Sequence, residues 1–175
     1  MGYNAINGYI DRLISEGSPN KPVWNIEFIR QNKKPSFNYI DGCMMISLIN
    51  IYKKTGVKNY IDFFVDRDGK VLYYDKNEFN LDNINEGRVF FDLYEYTNDE
   101  RYKKAAFYLY EQLKEQPRTP EGNFWHKKIY PNQVWLDGLF MAQVFSFRFK
   151  KCFGDKDYTD VINQFRTVEQ KMKDK

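Results

Sequence analysis

Trp125-His126-Lys127-Lys128-Ile129-Tyr130-Pro131-Asn132-Gln133-Val134-Trp135-Leu136-Asp137-Gly138-Leu139-Phe140-Met141 runs from a polar loop straight into an apolar helix. Its second part, an Asp-Gly pair followed at once by apolar residues, is not unique in the chain. Asp41-Gly42 opens a helix carrying Met44, Met45, Ile46, Leu48, Ile49 and Tyr52, ended by Thr55-Gly56. Asp82 opens another through Ile84, Val89, Phe90, Leu93 and Tyr94, ended by Thr97-Asn98. Asp137-Gly138 opens the third through Leu139, Met141, Val144, Phe145 and Phe149, ended by Gly154. From each Asp to its matching aromatic (Tyr52, Tyr94, Phe149) the offset is 11, 12 and 12 residues. A Tyr follows each helix end four residues on, at Tyr60, Tyr102 and Tyr158. Three agreeing offsets are the mark of a helical-repeat architecture.

Each repeat reads as a helical hairpin. The first helix is apolar nearly all round, as a helix buried on several sides must be. The second is amphipathic: Tyr102, Ala105, Ala106, Leu109 and Leu113 recur at three- and four-residue spacings among charges between Asp99 and Gln116. Thr97-x-x-Glu100 has the form of a capping box for it. Residues 157–172 repeat the pattern through Tyr158, Val161, Ile162 and Phe165. After Gly56 only Val57 to Val65 precedes the turn Asp66-Arg67-Asp68-Gly69, too little for an outer helix of the usual length. Val71-Leu72-Tyr73-Tyr74 then reads as a short strand or an extended cover. The expectation is an all-α chain of about three hairpins, with inner and outer helices layered as in toroids and solenoids.

Composition narrows the class. At 175 residues the chain reads as a single domain, 1–175, long enough for a hydrophobic core. A net charge of +3 with both signs interspersed gives no basic stripe, so no nucleic-acid partner is expected. No run reaches transmembrane length and the N-terminus has no secretory pattern, so the expectation is a cytoplasmic protein without a membrane partner. Cys43 and Cys152 have no metal-site spacing and fall on apolar helical stretches, which predicts buried thiols.

The polar loop is the natural place to look for function. It gathers the chain's only His, two of its three Trp, Lys127, Lys128 and Asp137 at a helix entrance. The alternative is a packed loop whose Trp rings cover a helix end, with Asp137 as a cap. If the inner helices run side by side, Asp41, Asp82 and Asp137 face one rim. Capping accounts for Asp41. Asp82 lies in Asn80-Leu81-Asp82-Asn83-Ile84-Asn85-Glu86-Gly87, more polar than a helix start requires, which places it at the same opening as Asp137. Two carboxylates close together in a partly dry cleft push one pKa upward, which makes a proton donor at neutral pH.

Asn80 to Gly87 and His126 to Leu139 closely resemble glycoside hydrolase family 105, the unsaturated rhamnogalacturonyl hydrolases, relatives of the family 88 unsaturated glucuronyl hydrolases. Phe37-Asn38-Tyr39-Ile40-Asp41-Gly42 and Gln116-Pro117-Arg118-Thr119 fit the same pattern, and the likeness runs from about Val23 onward. The resemblance implies an (α/α)6 toroid and, as substrate, an oligosaccharide ending in a 4,5-unsaturated uronic acid left by pectin lyases. The chemistry it implies is hydration: protonation at C4 of the enol ether, capture of the C5 centre by water, and opening of the hemiketal to release the neighbouring sugar. Carried over by position, Asp137 is the general acid/base and Asp82 supports it. His126, Lys127 and Trp135 line the cleft, with Asn38 and Tyr39 on the adjacent rim. The resemblance implies neither metal nor organic cofactor.

The chain also departs from that pattern. A complete toroid has six hairpins; this one stops after the third and corresponds to the N-terminal half of the barrel. Two functions compete on that basis. One is an unsaturated uronyl hydrolase, competent alone or once assembled. The other is a truncated, non-catalytic remnant that binds carbohydrate or another subunit. Half a ring leaves apolar flanks uncovered, which predicts a homodimer or a chain supplying the second half-barrel.

Overall fold

The computed structural model describes residues 3–18, 22–25, 30–33, 36–57, 61, 63 and 65–173. Helix α1 spans Tyr3–Glu16, α2 Tyr39–Thr55, α3 Leu81–Glu86, α4 Val89–Thr97, α5 Glu100–Glu115, α6 Leu136–Cys152 and α7 Thr159–Met172, with a 3-10 turn at Lys76–Glu78. Among the described residues there is no β-strand. Val71 makes only an isolated bridge to Val65, so of the two readings of Val71–Tyr74, short strand or extended cover, the strand does not form. Within the stretch Val57 to Val65, residues 61 and 63 are turn positions; Tyr60 lies outside the described residues.

The three Asp-led segments are the inner helices: α2, the pair α3–α4, and α6. Between them sits one core that includes Met45, Leu48, Ile84, Phe90, Leu93 and Phe145, each essentially inaccessible to solvent. α5 closes it from outside with Tyr102, Ala105, Ala106 and Leu109, as its three- and four-residue apolar spacing requires. Tyr102, four residues past Asn98, is anchored by its hydroxyl, which donates to the Ile61 carbonyl at 2.9 Å.

The second inner segment departs from expectation. Instead of one helix from Asp82 to Thr97, the backbone breaks at Gly87-Arg88 into α3 and α4. The Gly87 amide bonds back to Ile84 and the Arg88 amide to Asn85, three residues each, tightening the chain locally. Gly87 sits where α3, α5 and α6 meet. A Cβ there would lie 1.9 Å from Leu109 Cδ1 and 3.2 Å from Phe145 Cε2. Gly87→Ala is therefore expected to cost about 1–3 kcal/mol through overpacking, read as a lower urea midpoint at unchanged slope.

Other details differ too. Helix α5 is capped by Asp99, whose side chain accepts from the Arg101 amide. Thr97 instead donates to the Leu93 carbonyl, so the capping box does not form. Helix α7 buries Val161, Gln164 and Val168 and leaves Ile162 and Phe165 outside. Gln164 is drawn in because its amide accepts from Asn123 and the Phe124 amide and donates to the Gly122 carbonyl. Cys43 and Cys152 are exposed, not buried. In α2 the buried stripe is Asp41, Gly42, Met45, Leu48 and Ile49, and Cys43 falls off it.

Candidate functional site

Helix α3 is short, and its first turn is set from outside. Asn80 caps it, accepting from the Asp82 amide at 3.1 Å, which leaves Asp82 at the second helical position with its carboxylate unused by capping. Two glutamines at the end of α5 hold the loops on either side. Gln112 donates to the Asn80 carbonyl at 3.3 Å; Gln116 donates to the carbonyls of Phe79 at 2.9 Å and Trp125 at 2.8 Å. The Leu81 amide then bonds to the His126 carbonyl, and the His126 amide to that of Gln133. The polar loop is thereby stitched to the start of α3. Buried polar groups are satisfied in this way rather than left to choose among conformations.

Asp137 is the second residue of α6. The cap position is Trp135, which makes no side-chain capping bond, so Asp137 is not the N-cap. Asp82, His126 and Asp137 each bring one side-chain polar atom within 4.8 Å of the other two. His126 Nε2 lies 3.4 Å from Asp82 Oδ1, and Lys127 Nζ 2.7 Å from Asp82 Oδ2. The Lys127 ammonium thus balances the charge of this carboxylate. His126 is 1% exposed and lies flat against Trp135, centroids 4.3 Å apart; Tyr130 stacks on the same indole at 5.2 Å. Burial holds the imidazole below its ordinary pKa; Asp82 and Asp137 oppose this and Lys127 adds to it.

A second acidic layer lies behind. Asp41 is buried and is not on the rim: it accepts from Trp24 Nε1 at 3.0 Å, from Asn25 and from the Asn38 amide, completing a capping box with Asn38. Burial raises its pKa, against those hydrogen bonds. Glu86, 3% exposed, lies against Gly42, where a Cβ would fall 1.3 Å from its Oε2. Burial pushes the Glu86 carboxyl up to about 7, with Asp82 and Asp41 contributing and Asn85 and Arg88 opposing.

The fold therefore brings Asp82, His126, Lys127, Trp135 and Asp137 together. Asn38 is spent on capping α2, accepting from the Ile40 amide and donating to the Ser36 carbonyl. Tyr39 is 64% exposed on the same turn; its charged neighbour within the acidic layer is Glu86. Glu86 was visible in the sequence as part of a polar run, and Tyr130 as an aromatic of the loop. Gln143 gives no signal inside an apolar helix.

Comparison with known proteins agrees with this architecture. The family model described as Glycosyl Hydrolase Family 88 matches residues 9–175. The unsaturated rhamnogalacturonyl hydrolase YesR of Bacillus subtilis (strain 168) is 24% identical over 176 residues, spanning 97% of this chain and 47% of its own length. A solved glycoside hydrolase from family 105 of C. acetobutylicum ATCC 824 is similar at a TM-score of 0.69 and 33% identity, over 93% of this chain and 45% of that one. That neighbour has the (α/α)6 toroid fold, and the helices described above form part of such a toroid. The chain spans about half the length of the relatives it matches.

Proposed function

The chain belongs to Glycosyl Hydrolase Family 88, and from that premise we propose that it is an unsaturated rhamnogalacturonyl hydrolase-like protein corresponding to the N-terminal half of the toroid. Its substrate is then a pectin-derived oligosaccharide ending in a 4,5-unsaturated uronic acid. The observation that carries this reading is the cluster itself: an exposed Asp137, free of capping, beside an Asp82 paired with Lys127 and His126. Asp137 delivers a proton to C4, leaving an oxocarbenium-like centre at C5. The resulting carboxylate takes a proton from the water that adds there, so one group serves as acid and then base. The hemiketal opens and releases the neighbouring sugar. Lys127 suits the substrate carboxylate or its hydroxyls, Trp135 offers an apolar face to the ring, and Asn38 and Tyr39 form the adjacent rim.

The second reading, a non-catalytic carbohydrate-binding or subunit-interaction module, is favoured by one feature. Phe140 and Phe147 on α6, and Ile162 and Phe165 on α7, are all more than two-fifths exposed. An apolar surface of this kind suits a homodimer or a chain carrying the other half-barrel. One experiment separates the readings. The folded chain, alone and mixed with a separately produced second half-barrel, is given an unsaturated galacturonyl-rhamnose disaccharide while alkene absorbance is followed in the ultraviolet. Falling absorbance is the expected result in at least one arm. Unchanged absorbance in both, with sedimentation showing that the two halves did associate, selects the interaction module.

A further inference from the structure

Behind the reacting face, three buried polar atoms have no protein partner: His126 Nδ1 and both amide atoms of Gln143. His126 is 1% and Gln143 2% exposed, so neither side chain reaches bulk water. Both line the same small cavity between the loop and α6, about 10 Å³ in volume, together with Trp135, Gly138 and Gln164. Gln164 is turned towards Asn123, Phe124 and Gly122, and no hydrogen bond joins it to either side chain. An unpaired buried polar atom costs about 1–3 kcal/mol, so a partner that serves all three is strongly favoured.

The geometry points to a single structural water in this cavity, bridging His126 Nδ1 and the Gln143 amide, with Gln143 as a positioning residue for the imidazole. The space is that of about one water, and the donors and acceptors match. Nε2 faces the Asp82 carboxylate, which only accepts, so the ring proton of the neutral imidazole sits on Nε2. Nδ1 is then an acceptor and needs a donor. Water gives one hydrogen to Nδ1 and the other to Gln143 Oε1, and accepts from Gln143 Nε2. Gly138 keeps the approach open: a Cβ there would lie 2.9 Å from Nδ1. The water thus satisfies the tautomer that Asp82 selects and holds the ring in the orientation through which His126 contacts it. The inference concerns ring orientation and stands whether or not the chain turns over substrate.

Because the chain has one histidine, its imidazole nitrogen signals are unambiguous in a long-range proton–nitrogen spectrum. The wild-type protein is expected to show the Nε2–H tautomer, a hydrogen-bonded Nδ1, and cross-relaxation between the ring and a long-lived water. Gln143→Met keeps the length of the side chain without its amide. It is expected to move the Nδ1 resonance downfield and to remove the water contact, leaving Nε2–H in place. A wild-type Nδ1–H tautomer would overturn the inference. So would an Nδ1 resonance that Gln143→Met leaves unmoved. If Gln143→Met does not fold, the wild-type water contact decides alone, and its absence overturns the proposal.

Discussion

Asp137→Asn is expected to abolish consumption of the unsaturated uronyl alkene, lowering turnover by roughly two to four orders of magnitude, the usual worth of a positioned general acid. The amide keeps the shape and cannot deliver a proton. A structural role would give a different result, because Asp137 makes no N-cap bond whose loss could loosen α6. Stability should change by no more than the few tenths of a kcal/mol to about 1 kcal/mol that an acidic residue contributes at a helix start. The telling measurement is therefore turnover and melting on the same sample. Turnover near wild type would remove Asp137 from the role of acid. A large stability loss alongside lost turnover would make the residue structural.

Asp82→Asn tests the support role in the same assay, and Lys127 sharpens the expectation. In the wild type the ammonium is neutralised by Asp82 at 2.7 Å. Without that carboxylate the Lys127 ammonium loses its ion-pair partner, and the negative charge grouped with Asp137 and His126 is gone. The kcat should fall, though less than for Asp137→Asn, and removing Lys127 as well should recover part of kcat while raising KM, because Lys127 also serves substrate binding. A double variant with a kcat no better than the single one would mean that Asp82 acts through the substrate and not through charge.

Legibility in the sequence followed the reach of each signal. The Asp-to-aromatic offsets located the inner helices because one buried face repeats at fixed period, and that is a local property. The break at Gly87 was not legible: Gly is tolerated inside helices, and what requires a glycine there is the close approach of Leu109 and Phe145 from two other helices. Ile162 and Phe165 were placed on the wrong side of α7 by hydropathy alone. Gln164 displaced them because it satisfies loop groups some forty residues away in sequence. Asp82, His126 and Asp137 were drawn together on pattern and resemblance. What joins the segments, Gln112 and Gln116 gripping the carbonyls of residues 79, 80 and 125, is long-range bonding that no motif carries.

Glu86→Gln is expected to flatten the dependence of stability on pH, which makes the acidic layer behind the site measurable. Glu86 carries a carboxyl pushed up to about 7, from 4.5, chiefly by burial against Gly42. Between those values the folded state holds a proton that the unfolded chain has released. Stability from this group is therefore full below about pH 4.5 and is lost as pH rises through 7. At about 1.4 kcal/mol per pKa unit the loss is on the order of 3 kcal/mol. Glutamine has the same shape and no titration, so the variant lacks that slope. Any fixed cost of placing an amide against Gly42 applies equally at every pH and drops out of the comparison. The raised pKa of Asp41 and the lowered pKa of His126 act in both proteins and largely cancel in the difference. Urea unfolding of both proteins at pH 5, 6.5 and 8 should give curves that diverge with pH, the variant gaining on the wild type at the alkaline end. Parallel curves would show that Glu86 is ionised throughout and that the acidic layer stores no proton.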